Sequence, residues 1–304
     1  MDAKLELTPV QKIDCLWYKR DDLYAPFGQD DVNGGKVRQL MTLFENLETA
    51  IRTDHDSGVI ISSSVFSSTG AVVARVARHF GFKCIVCVGG LKEKDLERHD
   101  MVRLAQCYGA DVRIVSGTGM NSTISARVRE IIYDTNYFDA QFDENIKWYP
   151  EWMYDTNAKQ VANIPPDLDN LVMGVGVGIQ FSAVLKGLRD FGIRPKRMIG
   201  VQIGPDRRKR IDKQISPYIL GRRYDPIPDY ELYQWKTPYA KEAVEKIGGS
   251  DGFYLDPLYE AKAFRWIVDN IDIEKEKTLL WCVGRKLTHG EVEIILHDSQ
   301  VGAV

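Results

Sequence analysis

The chain has no marked charge excess, no long apolar run and no cysteine framework. It sets 40 Lys and Arg against 43 Asp and Glu, for a formal net charge of -3 over 304 residues. That balance gives no global sign of nucleic-acid binding. No stretch approaches the roughly 18 consecutive apolar residues that cross a bilayer. Residues 1–12 are polar and lack the apolar centre of a secretory leader. The cysteines (Cys15, Cys84, Cys87, Cys107 and Cys282) are odd in number, so a disulfide framework is not expected and a reducing cytosol is. Cys84 and Cys87 form a single CxxC inside an apolar run that reads as a buried strand. Without a second pair or a histidine partner, no metal site is expected. Internal repeats and low-complexity tracts are absent too.

What remains is an ordinary globular composition, 44% hydrophobic and 27% charged, long enough for about two domains. Short apolar runs alternate with helical patterns. Strands are expected at 58–62, 83–88 and 111–115, with helices at 71–80, 98–108 and 122–132. Strands at 171–175, 198–203 and 278–283 and helices at 179–188 and 257–268 continue the rhythm. It implies an α/β protein whose mainly parallel sheets are flanked by helices. Residues 137–166, aromatic and polar and ending in two prolines, read as the crossing between two domains. Residues 205–250 read as irregular.

Two segments carry chemistry. Asn33-Gly34-Gly35-Lys36-Val37-Arg38 places a lysine between a glycine turn and an amphipathic helix whose apolar positions include Leu40, Met41, Phe44, Leu47 and Ile51. A lysine desolvated there can form a Schiff base. Gly174-Val175-Gly176-Val177-Gly178-Ile179-Gln180 follows a strand and opens a helix, where backbone N–H groups can cradle an anion. It fits neither the dinucleotide fingerprint nor a P-loop. A phosphate loop together with a Schiff-base lysine suggests pyridoxal 5'-phosphate (PLP).

The order of motifs resembles the fold-type-II PLP enzymes, a family that includes cysteine synthase, threonine dehydratase, D-cysteine desulfhydrase and aminocyclopropane-carboxylate deaminase. Trp17 to Leu23 looks like the K-R-x-D-L opening strand, and Gly34 to Arg38 like the cofactor-lysine segment. Ser67-Ser68-Thr69-Gly70 sits at the substrate-carboxylate loop, and Gly174 to Gln180 at G-x-G-T-G-G-T. Asp251 to Tyr259 looks like E-G-x-x-x-D-P-x-Y of the deaminase and desulfhydrase branch. Phe138 to Asp143 and Gly200 to Gln202 are softer matches.

The resemblance implies two domains with PLP in the cleft between them: 1–45 with 148–304 as the larger, cofactor-binding domain, and 46–147 as a smaller inserted one. Lys36 would hold PLP and move the proton at the substrate α-carbon. Gly174, Gly176, Val177, Gly178 and Gln180 would bind the phosphate. Ser67, Ser68, Thr69 and Gly70 would bind the substrate carboxylate, and Tyr259 would act as an acid–base or gate. Ser68 replaces the asparagine that usually flanks the pyridine ring, Val177 and Gln180 replace threonines, and Ile179 replaces a glycine. Cys282 stands on the strand that supplies the pyridine-nitrogen partner. A homodimer in the cytoplasm is expected.

The branch resemblance favours elimination or deamination of an amino acid, while the Gln141 region leans toward β-replacement. A non-catalytic protein retaining the fold is the remaining class. Arg207-Arg208-Lys209-Arg210, with Lys213, Arg222 and Arg223 and the rings of Tyr218, Tyr224, Tyr230, Tyr233 and Trp235, follows a strand end. The plainer reading is a solvated charge run at a subunit boundary, but a position after a strand end also lines the ligand crevice of an open sheet. This suggests a further reading, a PLP enzyme such as a decarboxylase acting on an amino acid attached to a nucleotide or, in a phage, to a DNA base.

Overall fold

The computed structural model describes residues 6–216, 226–236, 246–249, 252–285 and 287–301. Arg222, Arg223, Tyr218, Tyr224 and Asp251 lie outside these. The chain divides into two compact units. One comprises Met1–Pro26, Asn33–Gln39 and Tyr149–Lys286, and the other Phe27–Val32, Leu40–Trp148 and Leu287–Val304. Helix α1 (Gly35–Asp54) contributes its first five residues to the first unit and the rest to the second.

The first unit holds a sheet of order β1-β2-β10-β7-β8-β9. β1 (Val10–Ile13) and β2 (Leu16–Arg20) form an antiparallel hairpin. β10 (Thr278–Cys282), β7 (Asn170–Val175), β8 (Arg197–Gln202) and β9 (Glu231–Gln234) continue from β2 in parallel. Every residue of β10 is buried, as a central parallel strand covered on both faces requires. Alternate side chains go to opposite faces. Val172, Ile199, Val201 and Leu280 pack with Ala263, Trp266 and Ile267 of a helix at Glu260–Asn270. Leu171, Met173, Leu279 and Trp281 pack with Phe181, Val184, Leu185 and Leu188 of α7 (Ile179–Asp190).

The second unit holds a parallel sheet of order β5-β4-β3-β6, from β3 (Gly58–Ser62), β4 (Lys83–Gly89), β5 (Asp111–Ser116) and β6 (Phe138–Asp139). α2 (Thr69–Phe80), α3 (Asp100–Cys107) and α4 (Asn121–Thr135) alternate with these strands. Gly81 ends α2 in the left-handed conformation (φ 69), as its position in the sequence suggests. Ile60, Ile85 and Cys87 pack against Ile124 and Val128. Cys84 and Cys87 are buried strand residues, and burial pushes both thiols well up.

Three stretches differ from expectation. Residues 137–166 are largely helical, with α5 (Phe142–Trp148), α6 (Pro150–Ala158) and a 3-10 turn at Lys159–Asn163. Pro150 sits in the first turn of α6, where its missing N–H costs nothing. Within 205–250, α8 (Arg208–Gln214) and β9 are regular. After β10 comes α10 (His289–Val301), with the helix at Glu260–Asn270 designated α9. Leu287–Val304 groups with the second unit, whereas the expected larger domain ran to residue 304. Arg103 pairs there with Glu293, and His289 Nδ1 lies 2.8 Å from Asp100 Oδ1. Among the described residues, no helix is long and apolar enough to cross a membrane.

α6 and α7 approach closely at Gly187. A Cβ there would lie 2.3 Å from the Ala158 carbonyl oxygen and 2.6 Å from Val161 Cγ2. A backbone oxygen cannot swing aside as a side chain can. Gly187→Ala should therefore destabilise the protein by about 1–3 kcal/mol despite alanine's better helix propensity. A lower denaturant midpoint at unchanged slope is the expected result.

Candidate active site

The first unit brings several of the expected site residues together. Lys36 is the second residue of α1, and the turn before it is fixed by β10. Gly35 N–H donates to Val283 O at 2.9 Å. Gly34 has φ +85, and a Cβ on it would lie 2.4 Å from that same oxygen. Only glycine satisfies both conditions. Arg38, one half-turn beyond the lysine, lies buried with its guanidinium 2.6 Å from Asp21 Oδ1. The opening-strand motif and the lysine motif are thus two halves of one buried contact. Lys19 in the same strand donates to Thr8 O and Asn163 Oδ1, each at 2.7 Å. Burial lowers its pKa to about 7.

The glycine loop runs from the end of β7 to the start of α7. The first N–H groups of a helix have no intrahelical acceptor, and the positive end of the helix dipole lies there. Gly178 (φ +93) caps α7, and a Cβ on it would lie 2.7 Å from Ile211 Cγ1. Tyr259 closes over the loop: Cβ atoms on Gly174 and Gly176 would lie 3.0 Å from its carbonyl oxygen and its ring. Asp256 sets that tyrosine by accepting the N–H groups of Leu258 and Tyr259, each at 2.8 Å, which gives the D-P-x-Y spacing a physical reason.

The Gln180 side chain is committed elsewhere, with Asn157 and Gln39 (2.7 and 2.8 Å), so its backbone N–H is what it offers an anion. Arg207 to Arg210, expected on an irregular loop, instead cap and begin α8. Arg207 Nε donates to Gly176 O at 3.0 Å and its N–H to Gln202 Oε1 at 2.6 Å. Arg208 donates to Tyr230 O and stacks on that ring, leaving Lys209 as the exposed member of the four. The run is partly structural rather than a solvated charge cluster.

Cys282 lies at the end of β10, buried, and burial beside Asp22 and Glu260 pushes its thiol far up. It stays neutral at physiological pH. The residue that the sequence reading missed is Glu260, beside it. Glu260 Oε1 accepts the Val283 N–H at 3.0 Å, while Oε2 has no hydrogen-bond partner among the described residues although the residue is 2% exposed. Burial, then the Asp256 carboxylate, raises its pKa well above the ordinary value. Glu260, Cys282, Asp22, Asp256 and Arg285 line one small pocket. The Val283 peptide thus holds the start of the Lys36 helix through its oxygen and Glu260 through its N–H.

Ser67, Ser68, Thr69 and Gly70 belong to the second unit: Ser67 and the N-cap Ser68 follow β3, and Thr69 and Gly70 are the first two residues of α2. Ser67 Oγ lies 2.9 Å from Thr69 Oγ1 and accepts the Thr69 N–H at 3.2 Å. Ser63 Oγ accepts the Gly70 N–H at 3.1 Å. A Cβ on Gly70 would lie 2.8 Å from Val86 Cγ1, so packing requires the glycine.

An anion cradle, an amine at a helix start and a buried carboxyl with an unused oxygen, all in one unit, fit a phosphorylated pyridine aldehyde. The fold and this donor set define a fold-type-II α/β enzyme. A family model described as pyridoxal-phosphate dependent enzyme matches residues 5–267, and the chain belongs to that family. Its cofactor is PLP. An O-seryl-dTMP PLP-dependent decarboxylase of Salmonella phage ViI is 26% identical over 89% of this chain and 78% of that protein. A 1-aminocyclopropane-1-carboxylate deaminase of Allorhizobium ampelinum is 24% identical, with 86% of each chain covered. The crystal structure of an ACC deaminase homologue matches with a TM-score of 0.72 at 20% identity, covering 98% of this chain and 95% of that one.

Glu260 makes the cofactor-free protein pH-sensitive. With its pKa raised in the fold, it stays protonated where the unfolded chain has already ionised. It costs nothing below about pH 4.5, the ordinary value, and destabilises increasingly as pH rises toward its folded pKa. Relative to the wild type, cofactor-free Glu260→Gln should gain stability progressively above that pH. Parallel stability curves across pH would contradict this.

Proposed function

We propose that the protein is a PLP-dependent decarboxylase acting on an amino acid attached to a nucleotide. The observation that carries this reading is the similarity, over 89% of the chain, to a relative named for that reaction. Bound PLP supplies an electron sink for the substrate α-carbon. Lys36 would hold it through its amine and would carry a proton to or from the substrate α-carbon. The N–H groups of Gly176 to Gln180, with Gly174 allowing the close approach of Tyr259, bind the phosphate. Glu260, rather than Cys282, would hold the ring nitrogen, through its unused oxygen. Tyr259, seated on Gly176, is the acid–base group nearest the loop. Ser67, Ser68, Thr69 and Gly70 hold the substrate carboxylate. When that carboxylate leaves as CO2, its bonding electron pair stays at the α-carbon, and the Lys36 ammonium protonates it.

The second reading is elimination from a free amino acid. It is favoured by the deaminase relatives and by the Asp256-Pro257-Leu258-Tyr259 turn that this branch resembles.

Borohydride reduction of the PLP-loaded protein should place the adduct on Lys36. With O-seryl-dTMP, the product should have lost CO2 and kept both its nitrogen and its nucleotide. Lys36→Ala should lower turnover by about 10²–10⁴-fold, the range for a positioned acid–base group. Release of pyruvate and ammonia, or turnover of free amino acids alone, would overturn decarboxylation in favour of the second reading.

A further inference from the structure

A cluster of amides beside the site, two buried and the third, Gln180, half-buried, has a role that the reaction alone does not assign. Asn157 Nδ2 donates to Gly35 O at 3.2 Å and to Gln180 Oε1 at 2.7 Å. Gln180 Nε2 donates to Gln39 Oε1 at 2.8 Å, and Gln39 Nε2 donates to Met153 O. Asn157 Oδ1 accepts from Arg38 Nη1 at 2.9 Å. Gln39 and Asn157 are 0% and 1% exposed. Each amide is oriented, because its oxygen and its nitrogen have different partners.

These residues stand where the cofactor's two attachments begin. Gln39 is on the first turns of α1, three residues after Lys36. Gln180 is on the first turn of α7 and ends the glycine loop, where its backbone N–H belongs to the cradle and its side chain to the amide cluster. Asn157 reaches both from the end of α6. The second glycine of the lysine motif has its reason here. Gly35 is not in the left-handed region, yet a Cβ on it would lie 2.6 Å from Gln180 Oε1 and 3.1 Å from Asn157 Nδ2. It is glycine so that the amides can reach the backbone beside Lys36.

We propose that Gln180, braced by Asn157 and Gln39, is a positioning residue that fixes the separation between Lys36 and the anion cradle. PLP is held at two points. Its phosphate docks in the cradle, and its aldehyde condenses with the Lys36 amine: a C=N bond forms and one water leaves. The second attachment is then intramolecular, and its yield depends on how well the amine is aimed. The amide link between the two helix starts supplies that aim. The inference rests on the Lys36 assignment and not on the identity of the substrate.

Pyridoxine 5'-phosphate, which has an alcohol in place of the aldehyde, reads the cradle alone, whereas PLP reads both attachments. The ratio of their dissociation constants, measured by fluorescence, isolates the contribution of Lys36. Gln180→Ala should change pyridoxine 5'-phosphate affinity by less than about threefold while reducing the PLP advantage at least about tenfold. Gln180→Glu keeps the volume and the acceptor for Asn157 but loses the donor to Gln39, and should give a smaller reduction. It also carries the comparison if the alanine variant does not fold. Equal losses for both ligands would make the Gln180 side chain, and not only its backbone N–H, part of the cradle, and an unchanged ratio would make that side chain inert. Either result overturns the proposal. A borohydride adduct on another lysine would overturn the Lys36 assignment and this inference together. An adduct on Lys36 with an unchanged ratio would overturn this inference alone.

Discussion

The site depends on the ion pair between Asp21 and Arg38. Both side chains are essentially sealed from solvent, at 1% and 0% exposure. Burying two charges costs several kcal/mol per ion, and attraction offsets that only when the remaining polar atoms are also satisfied. Here Arg38 also donates to Asn157 and lies over the Tyr24 ring, and Thr8 Oγ1 donates to Asp21 Oδ1, while Asp21 Oδ2 has no hydrogen bond among the described residues, so the pair is only partly compensated. Removing one partner would leave a buried charge exposed to the cost of about 3–5 kcal/mol that such losses carry. That penalty holds the first turn of α1 in one place, two residues from Lys36. The polar interior is therefore a locating device, and the hydrophobic layers on either side of the sheet supply the bulk of the stability around it.

The α/β rhythm was legible because buried parallel strands such as Gly58–Ser62 and Thr278–Cys282 read as short apolar runs between glycine-punctuated helices. The glycines at 34, 174, 176 and 178 were legible for a different reason: each marks a place where backbone, a ring or, at 178, the Ile211 side chain comes too close for a side chain. Glu260 was not legible. An acidic residue in a first helical turn is favourable on any exposed helix, and only its burial against β10 makes it unusual. The pairing of Gln39 with Gln180 spans 141 residues of sequence and leaves no local trace. The helices at 142–158 were hidden because aromatic and polar residues surround their helical turns, and α8 because its arginines read as a solvated run.

Deaminase, synthase and decarboxylase relatives share one cofactor and one scaffold. The choice among their reactions rests on which bond at the α-carbon is loosened, which a fold does not decide. In this chain the Ser67 hydroxyl is paired with Thr69, and Ser68 stands where the resemblance expects an asparagine. The deaminase-like turn at Tyr259 coexists with these changes, so family resemblance at one end of a site does not carry over to the other.

The position of β10 has a consequence for how the chain comes into being. It is the last strand of its sheet in sequence and lies between β2 and β7, which are made first. Until residues near 280 leave the ribosome, the sheet has a gap in the middle rather than at its edge. Val283, which seats both the lysine turn and Glu260, is missing for just as long. Contacts of such sequence separation form late and slowly. A nascent chain therefore carries Lys36 well before it carries the carbonyl that seats the turn beside it, and that turn gains its fixed place only when the middle of the sheet is filled.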